Sequence, residues 1–286
     1  MDKHRRTEHQ WALVTGASSG LGRELARQLA CDYGIQPLLV ARREERLWEL
    51  KRELEAACGV RSEVLTTDLR EEEQLDEVFR RAVAVGNVST LVLNAGVTYF
   101  GLHQQMDYRQ FRHMMATNVN SIVRLTQLFL PHLTAQSDRT RILIVSSLAG
   151  LLPIPYQTAY SASKAFLCNF GLGLRHELRG TNVSVTVFAP GGIETELLHK
   201  SGLAARFGGS VFNHRADQCA RSALRALWHN KGLHVPGVFN NAVLIAARLL
   251  PRTWMTSIIG HIYADALREL SRPFAQPTAD SIHMMR

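Results

Sequence analysis

The sequence predicts an α/β protein with a Rossmann-type, doubly wound, seven-stranded parallel sheet and helices on both faces. Three observations predict this fold. Short apolar runs alternate with amphipathic stretches along most of the chain, which is the pattern of successive βαβ units. The runs are apolar at nearly every position, as expected of strands that are covered on both sides. A glycine-rich turn joins the first run to the first amphipathic stretch, as in the first βα connection of such sheets.

The elements follow in regular order along one predicted domain, residues 11–238. The apolar runs place strands at 12–15, 37–41, 63–67, 90–93, 141–145, 184–188 and 233–235. The helical patterns lie at 20–33, 44–57, 71–85, 108–133, 159–179 and 216–229. A polar segment, 1–10, precedes the domain, and we expect a helical extension at 239–271 and a flexible tail at 272–286.

The extension interrupts the strand–helix alternation. Its apolar stretch at 243–250 is broken by Pro251 and Arg252 and is shorter than the ~20 residues that a membrane-spanning helix needs. We expect it to pack on the domain or on a partner subunit. A cover for the substrate site and contact with a membrane surface are the alternatives.

The composition indicates a globular protein with a sizeable core, since 46% of the 286 residues are apolar and 20% are charged. The net charge of +8 suits nucleic acid, an anionic membrane or a polyphosphate ligand. Basic residues alternate with Glu at 42–52 and 70–81 rather than forming runs with aromatic residues, so we expect no nucleic-acid partner.

Four scattered cysteines, without metal-ligand spacing, predict neither a disulfide framework nor a metal site. The polar N-terminus lacks the apolar stretch of a secretory signal. We therefore expect a reducing, cytoplasmic location.

The glycine-rich turn has the composition and position of a phosphate-binding loop. Glycines let backbone N–H groups approach a pyrophosphate, and the following helix N-terminus favours its negative charge. An ordinary strand-to-helix turn is the alternative. The turn reads Thr15-Gly16-Ala17-Ser18-Ser19-Gly20-Leu21-Gly22.

A second motif combines a phenol with an amine. Tyr160 and Lys164 are four residues apart in a helical pattern and share one helix face. Ser147 ends the preceding strand. An exposed Tyr–Lys pair on a helix face is the alternative, because this spacing is common by chance.

These motifs, in this order, resemble the classical short-chain dehydrogenase/reductase family, whose members carry Thr-Gly-x-x-x-Gly-x-Gly near the N-terminus. The resemblance covers residues 11–234 and includes Asn94-Ala95-Gly96 and Pro190-Gly191. Leu93 departs from the family's Asn-Asn-Ala-Gly. Within the family, the chain looks most like bacterial NADP-dependent ketoreductases related to 3-oxoacyl and steroid reductases.

The resemblance implies four catalytic residues. Tyr160 would be the proton donor, and Lys164 would lower its pKa and hold the nicotinamide ribose. Ser147, rather than Ser146, would bind the substrate oxygen. Asn118 would keep a water-linked proton path to Lys164, with a helix-interior Asn bonded to backbone as the alternative.

NADP(H) is the expected cofactor, with NAD(H) possible. The second strand ends at Arg42 and Arg43, with no carboxylate that would repel a 2′-phosphate, and we assign Arg42 to that phosphate. The start of a solvated helix is the alternative. Ser19 stands where many NADP-dependent relatives carry a basic residue.

The remaining cofactor residues follow from the resemblance. Asp68 and Leu69 would contact adenine. A helix N-cap is the alternative interpretation of Asp68, and the two roles can coexist. The Ile193 backbone and the Thr195 hydroxyl would reach the carboxamide, although 190–195 could be a generic turn. The predicted cofactor-binding set also contains Gly16, Ser18, Ser19, Gly20, Leu21, Gly22, Asn94, Ala95, Gly96, Tyr160, Lys164, Pro190 and Gly191.

We expect a mobile substrate cover at 195–214 and an apolar substrate. The predicted function is NADPH-dependent reduction of a ketone or aldehyde. The alternatives are a catalytically idle NADP(H)-binding sensor or scaffold, and an epimerase or dehydratase, which would carry a larger C-terminal domain. The resemblance also implies a homodimer or homotetramer formed through 111–133 and 159–179. The predicted lining is Leu148, Leu151, Leu152, Ile154, Tyr156, Leu197, Leu198, Leu203, Phe207 and Phe212.

Overall fold

A computed structural model describes residues 10–200 and 213–271. The predictions for the polar N-terminal segment, the tail and most of the substrate cover, including Leu203, Phe207 and Phe212, lie outside the described residues.

The predicted seven-stranded parallel sheet is confirmed. Its strand order is β3-β2-β1-β4-β5-β6-β9, and every pairing is parallel. A short two-stranded ribbon, β7 and β8, lies beside it. The strands are β1 (Gln10–Thr15), β2 (Gln36–Ala41), β3 (Glu63–Thr66), β4 (Asn87–Leu93), β5 (Thr140–Val145), β6 (Val183–Phe188), β7 (Gly192–Ile193), β8 (Asn213–His214) and β9 (Leu233–His234).

Helices connect the strands and cover both faces of the sheet. Their bounds are α1 (Gly20–Tyr33), α2 (Glu44–Cys58), α3 (Glu72–Val85), α4 (Tyr108–Met115), α5 (Ser121–Thr134), α6 (Thr158–Glu177), α7 (Glu196–Lys200), α8 (Ala216–Trp228), α9 (Val238–Leu249) and α10 (Arg252–Ser271).

Two apolar cores lie on opposite faces of the sheet because successive strand residues point to opposite sides. In β1, Ala12 and Val14 pack with α1, α2 and α8. Trp11 and Leu13 pack on the other face with α3, α5 and α6. Strands β2 and β3 lie on one side of β1, and the strands from β4 onward lie on its other side. The loops after β1 and β4 therefore border a crevice, the usual ligand position in such folds.

The single long helix predicted at 108–133 is divided. A π-helical turn at Ala116–Asn120 separates α4 from α5. Such turns are rare and are frequent at functional sites, and this one carries Asn118. Apolar periodicity continues through the turn, so the sequence pattern did not reveal it.

The cysteine prediction needs a correction. Cys31 near the end of α1 and Cys58 at the end of α2 form a disulfide, with their Cα atoms 4.8 Å apart. Adjacent helix ends bring together two cysteines that are 27 residues apart in sequence. The pairing removes the cysteine argument for a reducing compartment.

The C-terminal extension consists of α9 followed by α10, and one side of α10 is buried. Met255 and Ile259 of α10 pack with Ala149 and Ile154, which lie between β5 and α6. Within residues 10–200 and 213–271, no helix is both long and apolar enough to cross a membrane.

Candidate active site

The glycine-rich turn is a tight loop that side chains would obstruct. Gly16 and Gly20 have φ values of +71° and +54°, which favour glycine over residues with a Cβ. A Cβ on Gly22 would lie 2.3 Å from the Gly16 carbonyl oxygen. The loop can therefore come this close to the start of α1 only with glycine at position 22.

The start of α1 fits a phosphate group. Ser19 precedes the helix and makes no side-chain capping hydrogen bond, and the first turn carries no acidic residue. Backbone N–H groups at an uncapped helix N-terminus bind anions. The loop and this helix end therefore fit the pyrophosphate of a dinucleotide.

Thr15 and Asn94 fix the glycine loop to the end of β4. The Thr15 hydroxyl accepts hydrogen bonds from the N–H groups of Asn94 (2.9 Å) and Ala95 (3.1 Å). The Asn94 side-chain amide donates to the Thr15 carbonyl at 2.9 Å. Asn94 and Ala95 are thus beside the predicted cofactor loop, and the observed role of the Asn94 side chain is to hold that loop in place.

Arg43, which the sequence analysis did not assign to the cofactor, contacts the glycine loop. Its guanidinium donates to the Ser19 hydroxyl at 2.7 Å and to the Ser18 hydroxyl at 3.2 Å. It also forms an ion pair with Glu196 at 2.7 Å, and Arg46 pairs with the same carboxylate. Hydrogen bonds from Arg43 and then Arg46 lower the pKa of Glu196 to about 2.

Arg42 and Asp68 lie beyond this cluster. Arg42 is exposed, and its charge contributes to a lowered pKa of Asp68, although the hydrogen bond from Arg70 is the largest cause. Helix α3 has Glu71, not Asp68, as its N-cap residue, so the capping alternative is wrong. The Asp68 carboxylate instead accepts from Arg70, and the neighbouring Leu69 is buried.

The segment after β6 closes over the glycine loop. A Cβ on Gly20 would lie 2.9 Å from Thr195 Cγ2. The Pro190 carbonyl accepts from the Leu148 N–H at 2.7 Å, which ties the Pro190-Gly191 turn to the loop after β5. Ile193 pairs with His214 in the β7–β8 ribbon. These contacts bring the predicted carboxamide-binding segment to the same crevice.

Tyr160 and Lys164 meet near the start of α6, as their spacing predicts. Lys164 Nζ lies 5.8 Å from the centroid of the Tyr160 ring and donates to the Val145 carbonyl at 3.1 Å. Lys164 is buried, with 3% of its surface exposed. The alternative of an exposed helix-face pair is inconsistent with this burial.

The pKa values of the pair differ from the sequence expectation. Desolvation by burial raises the pKa of Tyr160, and a hydrogen bond with Ser147 partly offsets that rise. Burial lowers the pKa of Lys164 from 10.5 to about 8. Desolvation disfavours both charged forms, so the structure favours a neutral Tyr160 phenol, which is the form that donates a proton.

Ser147 and Ser146 have separate roles. The Ser147 hydroxyl faces Tyr160 and accepts from the Ala149 N–H at 3.1 Å. Ser146 is buried, donates to the Lys164 carbonyl at 2.7 Å and contacts Cys168. Its hydroxyl is used in holding α6 against β5, which leaves Ser147 as the serine beside the phenol.

Asn118 is buried at the π-helical turn and bonds to the backbone. Its Oδ1 accepts from the Val97 N–H at 2.8 Å, and its amide donates to the Val97 carbonyl and the Ser163 hydroxyl at 2.9 and 3.1 Å. A Cβ on Gly96 would lie 3.3 Å from Lys164 Nζ and 3.4 Å from Asn118 Oδ1. The backbone bonds that the alternative expects are present, and Asn118 also borders the same point as Lys164.

Comparison with known proteins identifies the family. The family model for short chain dehydrogenases matches residues 10–205. The chain belongs to this family. Sulfoacetaldehyde reductase 2 of Chromohalobacter salexigens is 40% identical over 220 residues, which are 74% of this chain and 79% of that protein. The very-long-chain 3-oxoacyl-CoA reductase of Anas platyrhynchos is 32% identical over 65% of this chain, and the match spans 61% of that longer protein.

Solved structures of the family share the fold. A short-chain dehydrogenase from Sphingobium yanoikuyae in complex with NADPH matches with a TM-score of 0.75 and 25% identity, covering 95% of this chain and 99% of that one. A 7beta-hydroxysteroid dehydrogenase matches with a TM-score of 0.79 over 89% of this chain and 98% of its own, at 24% identity. This family member is an NAD(P)(H)-dependent oxidoreductase that acts on CH–OH donors or the corresponding carbonyls.

Proposed function

We propose that this protein uses NADPH to reduce a ketone or aldehyde with an apolar substituent to the alcohol. The observation that carries the proposal is the convergence of Tyr160, Lys164, Ser147 and Asn118 beside the glycine loop. Four residues from three separate segments meet where the nicotinamide of a nucleotide on that loop would lie. The names of the two relatives, reductases of an aldehyde and of a 3-oxoacyl thioester, agree with carbonyl reduction.

The proposed mechanism needs a hydride and a proton on opposite ends of the carbonyl. The bound cofactor would supply the hydride to carbon. Tyr160, neutral because it is desolvated, would donate its proton to the carbonyl oxygen. Ser147 would donate a hydrogen bond to that oxygen as negative charge develops on it. The buried Lys164 ammonium would favour the phenolate that remains.

The phenolate must then regain a proton. Lys164 Nζ and Asn118 Oδ1 both border Gly96, so a water molecule between them could carry a proton from solvent to Lys164. The π-helical turn is needed for this arrangement because it places Asn118 against the Val97 backbone.

Preference for NADP(H) rests on the arginines at the start of α2. Arg43 already contacts both loop hydroxyls, and together with Arg46 it holds the carboxylate of Glu196. Guanidinium groups bind phosphate as readily as carboxylate, so a 2′-phosphate would replace Glu196 there. We propose Arg43 as the principal phosphate ligand, with Arg42 as a second, more exposed cation.

The direct test is a panel of aldehydes and ketones with NADPH, followed by the absorbance of the reduced cofactor, beside parallel titrations with NADPH and NADH. We expect turnover of uncharged apolar carbonyls and tighter binding of NADPH. An idle NADP(H)-binding protein would bind the cofactor and turn over none of the panel. Equal affinity for NADPH and NADH would contradict the proposal that the arginines bind the 2′-phosphate.

A homo-oligomer formed through α6 is part of the proposal. Phe166 and Phe170 stack with ring centroids 5.9 Å apart, and Phe166 and Leu172 are 43% and 39% exposed. Large apolar side chains of this kind are typical of subunit contacts. Light scattering of the wild-type protein and of Phe166→Glu should distinguish a dimer or tetramer from a monomer.

A further inference from the structure

Helix α10 turns one apolar face toward the active site. Met255, Ile259 and Tyr263 follow at intervals of four residues and therefore share a face of the helix. They belong to one cluster with Ala149 and Ile154, in the segment that joins β5 to α6. The extension thus packs on the segment that leads from the catalytic serine to the catalytic tyrosine.

Tyr160 itself lies at the edge of this cluster. Tyr160 and Tyr263 are both partly buried and both pack against it. Burial, followed by the charge of an ionised Tyr160, raises the pKa of Tyr263 to about 12. The second effect requires the two phenols to be near each other, so Tyr263 borders the space in front of the proposed proton donor.

Two further aromatic rings enclose the same space. Phe100, in the loop after β4, makes edge contacts with Tyr263 and Tyr156, at centroid distances of 6.0 and 6.4 Å. Tyr156 has a φ of 63°, a conformation that costs a non-glycine residue ~1–3 kcal/mol and persists only where the surroundings hold it. The Gly101 N–H donates to its carbonyl at 2.9 Å. The three rings are therefore fixed by three distant segments.

We propose that Tyr263 is a specificity-determining residue. Its ring forms a wall of the substrate site in front of Tyr160, and with Phe100 and Tyr156 it limits the size of the larger substituent that an uncharged ketone can place there. The inference rests on the proposed function because it places the substrate carbonyl at Tyr160. A ring or branched alkyl group gains apolar burial there, whereas a charged group would lose hydration without a partner.

The adjacent stripe of α10 supplies a matched control. Trp254, Ile258 and Ile262 each precede Met255, Ile259 and Tyr263 by one position and are 65%, 51% and 45% exposed. Replacing Ile262 by alanine removes an apolar side chain next to Tyr263 in sequence but outside the cluster. Any general effect of weakening the helix should therefore appear in Ile262→Ala as well.

The experiment compares a one-ring ketone, cyclohexanone, with a fused two-ring ketone, 2-decalone. The quantity is the ratio of kcat/KM for decalone to that for cyclohexanone with NADPH, measured for wild type, Tyr263→Ala, Tyr263→Phe, Tyr263→Trp and Ile262→Ala. We expect Tyr263→Ala to raise the ratio by about tenfold or more and Tyr263→Trp to lower it, since pocket volume discriminates on this scale. Tyr263→Phe, which keeps the ring, and Ile262→Ala should stay within about twofold.

The preference between the two ketones is also measured by binding, as the ratio of their affinities for the NADP⁺ complex, where no hydride is available. If wild type reduces neither ketone, the proposed function fails, and the affinity ratio still tests the role of Tyr263. If wild type turns over both ketones and the Tyr263 variants all keep its ratio, the role of Tyr263 is overturned and carbonyl reduction stands. If Tyr263→Ala does not fold, Tyr263→Trp, with its opposite expected shift, decides.

Discussion

The two sides of the active-site crevice are built in different ways. On the cofactor side, the glycine loop, Thr15 and Asn94 form a rigid arrangement of backbone groups joined by hydrogen bonds of 2.9 to 3.1 Å. On the proposed substrate side, the walls are side chains from the loop after β4, the segment before α6 and helix α10. The first side depends on close approach of the backbone, and the second depends on the shapes of side chains.

This difference teaches where substitutions should matter. The pyrophosphate is common to NAD(H) and NADP(H), so a fixed backbone cradle serves both. Substrates vary, and side chains on separate segments can change without disturbing the cradle. We therefore expect changes on the cofactor side to affect binding of the nucleotide, and changes on the substrate side to affect the choice of ketone.

The largest expected effect on the cofactor side is that of Gly22→Ala. Its Cβ would meet the Gly16 carbonyl oxygen at 2.3 Å, and overpacking of this kind costs ~1–3 kcal/mol. We expect NADPH affinity, measured by fluorescence titration, to fall by about tenfold or more. In the control Gly173→Ala, no neighbour lies within 4 Å of the new methyl group, and affinity should be unchanged. Wild-type affinity in Gly22→Ala would contradict a cradle set by backbone contact.

We expect Lys164→Met to increase the stability of the fold and to abolish turnover. The pKa of Lys164 is about 8 in the folded protein and 10.5 as the ordinary value, which corresponds to about 3 kcal/mol of unfavourable burial of the charge at neutral pH. The folded state releases its proton first, so stability from this group rises with pH between about 8 and 10.5. Below pH 8, we expect Lys164→Met to raise the free energy of unfolding by ~1–3 kcal/mol, since the lost bond to Val145 offsets part of the gain.

Urea unfolding at pH 7 and at pH 9 measures this effect. The advantage of Lys164→Met over wild type should shrink by about 1 kcal/mol at the higher pH, while turnover is lost at both. The exposed Lys231→Met is the control and should change stability by less than about 0.5 kcal/mol. A Lys164→Met protein that is less stable than wild type at pH 7 would show that the ammonium contributes to the fold.

Glu196→Gln should have the smallest of these effects and should be specific to the 2′-phosphate. Removing the carboxylate leaves Arg43 and Arg46 without the anion that now pairs with them. We expect NADPH affinity to rise by about three- to tenfold, as for one charge-assisted contact, with NADH affinity unchanged. The nearby exposed Glu194→Gln is the control. If the substitution changed the affinities for NADPH and NADH equally, Glu196 would not compete with the 2′-phosphate.

Much of the cofactor side could be predicted from the sequence, because its residues are neighbours in sequence and their chemistry depends on local spacing. The fold, the glycine loop and the Tyr160–Lys164 pair follow from such short-range patterns. The choice between Arg42 and Arg43 for the proposed 2′-phosphate contact illustrates the limit. Consecutive residues at the end of a strand point in different directions, and only the backbone geometry shows which one faces Ser18 and Ser19.

The substrate side could not be predicted in the same way. Tyr263 is one aromatic residue in an amphipathic helix, and its position near Tyr160 depends on how α10 packs on the segment before α6. The Cys31–Cys58 pairing depends similarly on the adjacency of two helix ends. The raised pKa of Tyr160 also depends on tertiary burial, since sequence spacing suggested only the opposing effect of Lys164.

The most direct test of the account is a single-turnover measurement with Tyr160→Phe. With NADPH saturating and an apolar ketone that wild type reduces, the hydride-transfer rate should fall by about 10² to 10⁴, because a positioned acid contributes on this scale. NADPH affinity should stay close to that of wild type. A Tyr160→Phe protein that binds NADPH normally and retains more than about a tenth of the wild-type rate would contradict the proposed chemistry.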